Sequence, residues 1–240
     1  MSKASSNMHV PLSRGAPEKL MVFVNFSEPD RKQIQSLTIR YLVVKRVFDL
    51  SFSALVLVFL APLFLFLIVC IVLDGGAPFF VHQRVGRHGQ VFGCYKFRTM
   101  ARDADKILDQ YLSANPEARA EWERTRKLSY DPRITVLGSF LRKSSLDELP
   151  QFFNVILGQM SVVGPRPITK DEMSTYKDAA TTVTSVMPGI TGLWQVSGRN
   201  RLTLEQRRDM DVAYVQNASF GLDIRVIIQT VLVVVFMSGQ

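Results

Sequence analysis

From Leu50 to Leu73 the chain carries no charged residue; the run is LSFSALVLVFLAPLFLFLIVCIVL, bounded by Asp49 and Asp74. As a straight helix, about 24 residues would extend roughly 36 Å, enough to cross a bilayer. The run does not read as a secretory signal, because a long polar segment precedes it and no small-residue cleavage pattern follows. Pro62 stands at mid-run. Its ring removes a backbone donor and crowds the preceding turn, so the helix is expected to kink there. Lys45 and Arg46 precede the run and mark that end as cytoplasmic. The stretch after it is again rich in Lys and Arg, so both ends favour the same side. The residues alone leave two topologies open. One is a kinked spanning helix; the other is a broken helix that enters and leaves one leaflet.

The 240 residues are 47% hydrophobic, which suits one domain plus attachments and excludes global disorder. The formal charge of +8 calls for an anionic partner: nucleic acid, a phospholipid surface or phosphorylated substrates. Cys70 and Cys94 lack metal-ligand spacing and read as free thiols of a reducing compartment. Residues 1–36, with Pro11, Pro17 and Pro29, read as a flexible cytoplasmic tail. Residues 37–74 form a basic lead-in and the apolar helix, and residues 75–240 form the remaining folded unit.

Within that unit, Pro78–Gln83 and Val91–Phe97 read as a β-hairpin turned at Arg87–Gln90. Lys96 and Arg98 are two apart, which predicts one shared strand face. Ala101–Lys127 is highly charged and helical in propensity, a solvated insertion. Ser145 is expected to open an amphipathic helix whose apolar side runs from Leu146 to Leu157 and which Gly158 stops. Residues 169–180 read as a surface helix, residues 188–200 as loop–strand–loop, and Leu204–Tyr214 as a charged helix. Ile224–Met237 is a helix too short to span a bilayer.

The chemistry concentrates at Asp147-Glu148, placed just behind Arg142-Lys143 and ahead of Gly164-Pro165-Arg166-Pro167. Adjacent carboxylates inside a basic neighbourhood suit phosphoryl transfer. One can act as nucleophile and one as metal ligand, while guanidinium groups hold phosphate oxygens. Ser145-x-x-Glu148 also fits a helix capping box, a reading that gives Asp147 no role. Arg166 is held between two prolines, so its backbone is ordered before any ligand arrives, although a rigid turn with a solvated arginine has the same sequence. Arg142, Lys96 and Arg98 each read equally well as surface charges when taken alone. The loop with Gly189, Gly192 and Gly198 has the freedom to approach a nucleotide closely. Trp194 suits a base-stacking role or, with better odds, the core. His82 and His88 have no second ligand at metal spacing.

Taken in order, several motifs resemble those of the bacterial sugar transferase family, monotopic polyprenyl-phosphate hexose-1-phosphate transferases that begin exopolysaccharide synthesis. They are the apolar segment with Pro62, His82-Gln83-Arg84-Val85-Gly86, Lys96-Phe97-Arg98-Thr99-Met100, Ser145 through Asn154, Met160 through Pro167, and Pro188 through Asn200. The likeness covers about residues 42 to 240. It is strongest to the succinoglycan-type galactosyl-phosphate transferases, through Gly192-Leu193-Trp194-Gln195-Val196-Ser197-Gly198-Arg199.

The resemblance implies an α/β, mostly α, monotopic membrane protein. Its N-terminal membrane helix would be re-entrant and kinked at Pro62. A small catalytic domain, with a short hairpin and amphipathic interfacial helices, would lie on the cytoplasmic face of the bacterial inner membrane. It further implies that Asp147 attacks the β-phosphate of a UDP-hexose and releases UMP, that Glu148 holds Mg²⁺, and that undecaprenyl phosphate takes the sugar phosphate. Lys96, Arg98, Arg142, Pro165, Arg166, Gln195 and Arg199 are the implied substrate-binding residues. Galactose is the favoured hexose and glucose the alternative. Nucleic acid is not an implied partner, and an anionic-ligand binding module is the competing reading. A homodimer or a polysaccharide assembly complex is left open.

Overall fold

The computed structural model describes residues 39–198 and 202–236. The tail assigned to residues 1–36, and Arg199 with Asn200, lie outside the described residues. The apolar run folds as two helices, α1 (Ile39–Phe59) and α2 (Ala61–Leu73), bent by 62° at the break between them. The break falls at Leu60, and Pro62 sits in the first turn of α2, where its missing N–H costs nothing. No single helix among the described residues is long and apolar enough to cross a membrane, whereas this bent pair reaches that length together. α2 buries Phe64, Leu67 and Ile71, which recur at helical spacing along one stripe. Leu65, Phe66, Val69, Val72 and Leu73 on its other side are exposed.

β1 (Phe79–Val85) and β2 (Val91–Phe97) form the expected antiparallel hairpin, with His82 opposite Cys94 and Phe80 opposite Lys96. The charged insertion becomes α3 (Ala104–Ala114) and α4 (Pro116–Thr125), neither of which buries a residue. Next comes α5 (Val136–Ser144), capped by the Thr135 side chain, which accepts from the Gly138 amide. A short 3-10 turn, Leu146–Glu148, then leads into α6 (Gln151–Ile156).

The expected helix start at Ser145 is therefore corrected. Ser145 adopts the left-handed conformation that ends α5, with φ of 59°, and its hydroxyl caps no amide. A left-handed residue terminates one helix rather than opening the next.

β3 (Ser161–Val163) and β4 (Gly189–Thr191) pair in parallel, with α7 (Lys170–Tyr176) and α8 (Ala179–Val183) in the crossover between them. The loop–strand–loop expected over residues 188–200 is corrected in its second half, where Leu193–Ser197 forms a helical turn, α9. α10 (Leu204–Asn217) and α11 (Phe220–Phe236) complete the order. The main core joins Phe92 and Cys94 of β2, Val162 and Val163 of β3, Leu193 of α9, Tyr214 of α10 and Val226 of α11. A second cluster packs the α2 stripe on Phe97 and Leu141. The result is mostly helical, with two small two-stranded sheets.

Candidate active site

Strand alternation brings the cations together. Arg84, His82, Lys96 and Cys94 lie on one face of the hairpin, because cross-strand partners share a face and so do residues two apart. The turn at Leu146–Glu148 delivers the carboxylates against that face. Lys96 Nζ lies 2.7 Å from Glu148 Oε1 and 3.6 Å from Asp147 Oδ2. Arg166 Nη1 approaches the same Glu148 oxygen at 3.6 Å. The Glu148 carboxylate thus faces cations rather than a helix end, and the capping-box reading does not hold.

The two carboxylates are tuned apart. Burial pushes the Asp147 carboxyl above its usual range; Lys96 opposes this and Glu148 adds repulsion. Glu148 is also penalised by burial, yet Lys96, Arg166 and Arg84 outweigh it and hold that carboxyl below its usual range. Asp147 is only 8% exposed, so its carboxylate is largely stripped of water.

Arg166 is placed by its neighbours' backbone. The Pro165 carbonyl accepts from the Gly189 amide at 2.8 Å, and the Pro167 carbonyl accepts from Arg84 Nη1 at 3.2 Å. Arg84 Nη1 also reaches Glu172, the carboxylate of the α7 capping box. Below the loop, the buried Asp211 of α10 accepts the Tyr176 hydroxyl. Burial pushes its carboxyl from 3.8 up to about 7, with Tyr176 and Arg166 pulling the other way. A small cleft opens between Arg84, Lys96, Glu148, Gln151 and Arg166, with Cys94 and Ile190 also in its lining.

The structure separates the remaining residues singled out in the sequence. Arg142 ends α5, donates to Thr99 Oγ1 at 2.8 Å, and its charge is felt at Asp147. Arg98 departs from the expected face, since β2 stops at Phe97 and the Arg98 guanidinium donates to the Ile71 carbonyl at the end of α2. Gln195 donates to the Ile190 carbonyl at 3.1 Å. Gly189 and Gly192 are needed for a different close approach from the one expected: an added Cβ on either would strike the Gly164 backbone, so the two loops pack on each other. Arg84 and Gln151 lie inside motifs quoted from the sequence but were given no role there, and Asp211 and Arg207 were not singled out. The expected strand stopped at Gln83, one residue short of Arg84, which β1 carries onto the Lys96 face; Asp211 had no comparable signal.

No group of three or more His, Cys, Asp or Glu side chains among the described residues gathers to cage a metal. The neighbouring carboxylates Asp147 and Glu148 nonetheless converge on one cation, the Lys96 ammonium. Such a donor set suits Mg²⁺, which takes one or two protein carboxylates and completes its shell with substrate phosphates and water.

The model of the family described as bacterial sugar transferase matches residues 40–237. An undecaprenyl-phosphate galactose phosphotransferase of Salmonella typhimurium is 47% identical over 196 residues, 82% of this chain and 41% of that protein. The exopolysaccharide production protein ExoY of Sinorhizobium fredii is 46% identical over 199 residues, 82% of this chain and 88% of its own length. A UDP-glucose:undecaprenyl-phosphate glucose-1-phosphate transferase of Klebsiella pneumoniae is 35% identical, over 79% of this chain and 40% of that protein. This chain therefore spans less than half of the Salmonella and Klebsiella relatives and most of ExoY. The carboxylate pair, the hairpin cations and the proline-flanked arginine all fall inside the matched span, and the chain belongs to the bacterial sugar transferase family.

Proposed function

We propose that this chain moves a hexose 1-phosphate, galactose 1-phosphate first among them, from a UDP-sugar to undecaprenyl phosphate and releases UMP. The observation that carries the reading is the Asp147-Glu148 pair, the first buried and the second half-buried, meeting Lys96 at 3.6 and 2.7 Å, with Arg166 beside it. An Asp147 oxygen attacks the β-phosphorus of the donor. The bond from that phosphorus to the bridging oxygen breaks, and UMP leaves with the electron pair. A phosphate oxygen of undecaprenyl phosphate then attacks the same phosphorus, which frees Asp147 and leaves a diphosphate-linked sugar.

Lys96 and Arg166 offset the repulsion between an anionic nucleophile and an anionic donor. Arg142 adds positive charge on the Asp147 side. Mg²⁺, when bound, would neutralise diphosphate charge, and Glu148 is the residue to hold it, being kept ionised by its cationic neighbours. Glucose is the second reading of the sugar. The relatives named for galactose share more of their sequence with this chain than the one named for glucose does.

The acceptor's long hydrocarbon chain keeps it in a membrane, which gives the bent α1–α2 pair a use. We read it as a re-entrant anchor in the bacterial inner membrane, with the exposed Leu65, Phe66 and Leu73 facing lipid and residues 75–240 on the cytoplasmic face. The test is UMP release from UDP-galactose and UDP-glucose in detergent, with undecaprenyl phosphate and Mg²⁺. Release that needs the lipid and falls by about three orders of magnitude or more in Asp147→Asn is expected. Near-normal turnover in that variant would overturn the nucleophile assignment.

A further inference from the structure

Trp194 of α9 and Arg207 of α10 lie next to the site and have no place in the mechanism above. The Arg207 guanidinium carbon sits over the Trp194 ring at 4.8 Å from its centroid, and that of Arg166 at 5.9 Å. Two donors here are buried and have no hydrogen-bond partner among the described residues: Trp194 Nε1 and Arg207 Nε. Arg207 makes no ion pair among the described residues. Its guanidinium is held below its usual range by burial and by the charge of Arg166. Arg84 is disfavoured in the same way, by burial and then by Arg166.

A protein does not ordinarily leave buried donors unmet beside mutually repelling cations, because each orphaned donor costs its full desolvation. Arg166 has Glu148 as its counter-charge, and Arg84 has Glu172. Arg207 has none. Among the described residues the arrangement is short of one anion, with two unmet N–H donors and two guanidinium groups gathered at the Trp194 ring.

We propose that Trp194 Nε1 and Arg207, with Arg166 between them and the carboxylates, form a second phosphate subsite. It would hold the phosphate of a reaction component that is not being attacked. The inference rests on the reaction proposed above for the identity of its ligand. That phosphate belongs either to the UMP portion of the donor or to the polyprenyl acceptor, and its chemistry is the same in both. The stacked indole also makes the subsite observable, since a guanidinium drawn onto an anion changes the surroundings of the ring.

The chain has two tryptophans, Trp122 and Trp194. Trp122 lies in α4 against Arg133, so Trp122→Phe leaves Trp194 as the sole reporter. Full-length Trp122→Phe protein in detergent would be titrated with UMP, and separately with a short-chain polyprenyl phosphate, while indole fluorescence is followed. Saturable change with UMP places the nucleotide phosphate in the subsite. Saturable change with the lipid phosphate alone places the acceptor there. In either case Arg207→Gln is expected to weaken binding about tenfold or more, as loss of a charge-assisted contact should. Arg207→Lys keeps the charge but loses Nε, so it should fall between, and a thermal melt shows that each variant is folded. A silent indole with both ligands, or affinities unchanged in a folded Arg207→Gln protein, would overturn the subsite. Phosphate binding that persists in a protein releasing no UMP from any donor would instead sink the proposed reaction and leave the subsite standing.

Discussion

Lys96 is the residue on which the carboxylates depend. Two adjacent acids near the interior repel each other and resist ionisation, and one ammonium within 3.6 Å of both keeps them paired. Lys96→Met should lower kcat about 10²-fold or more while the protein still folds. UMP release beside a thermal melt measures both, and a variant with ordinary kcat would mean that Lys96 has only a structural part.

Asp211 allows a cleaner test at the same scale. Its folded-state carboxyl is pushed from 3.8 up to about 7. Between those values the native protein keeps a proton that the unfolded chain gives up. Stability contributed by this group is therefore lost as pH rises from about 4 to about 7, and stays lost above that. Asp211→Asn, which cannot ionise, should flatten that part of the profile and melt higher than the wild type at pH 8. Equal slopes in thermal melts across pH would show that other groups set the dependence.

At the level of the elements, α5 is fixed by a contact with no side chain in it. Gly138 lies so close to the Thr99 backbone that an added Cβ would overlap it. Gly138→Ala should push α5 off the hairpin, cost about 1–3 kcal/mol in a thermal or denaturant melt, and loosen the Arg142–Thr99 hydrogen bond. An unchanged melting temperature would show that the helix can shift without penalty.

This contact also shows why the elements were only partly legible. The apolar run with its break near Pro62, the hairpin and the charged insertion each follow from local composition or period, and the sequence is explicit about them. The end of α5 does not, because Ser145 takes the left-handed conformation that glycine usually supplies. The motif Ser-x-x-Glu then reads as a helix start where the chain in fact ends one. Asp147 and Glu148 were visible as chemistry regardless, since adjacent acids behind a basic pair need no fold to be noticed. Arg98 was misplaced because period two holds only while the strand lasts. Arg207 could not be found at all, being one of several charges on a polar helix. Only the tertiary approach of α10 to Trp194 gives it a setting.

For the whole molecule, the helix that carries the apolar run is bound to the far end of the sequence. Asp223 of α11 is 1% exposed and accepts from Tyr41, Lys45 and Tyr214. Lys45→Met leaves that carboxylate buried with two hydroxyls and no counter-charge. A loss of about 3 kcal/mol is expected in detergent unfolding experiments. A negligible loss would mean that the hydroxyls suffice. Arg46 adds a second tie, donating to the Val155 carbonyl of α6 at 2.8 Å.

One turn further along the same helix, Asp49 is buried at 2% exposure. It takes the Ser161 hydroxyl at 2.7 Å and the Val162 amide at 3.1 Å. Ser161 and Val162 open the strand that runs directly into the Arg166 loop. The helix is thus a gear meshed with the Arg166 loop rather than a rope tied to it. A slip of α1 by a single residue moves it about 1.5 Å, more than these hydrogen bonds tolerate. The axial position of α1 is therefore transmitted to the position of one guanidinium, and a substitute helix of equal hydrophobicity would fill its place without setting that position.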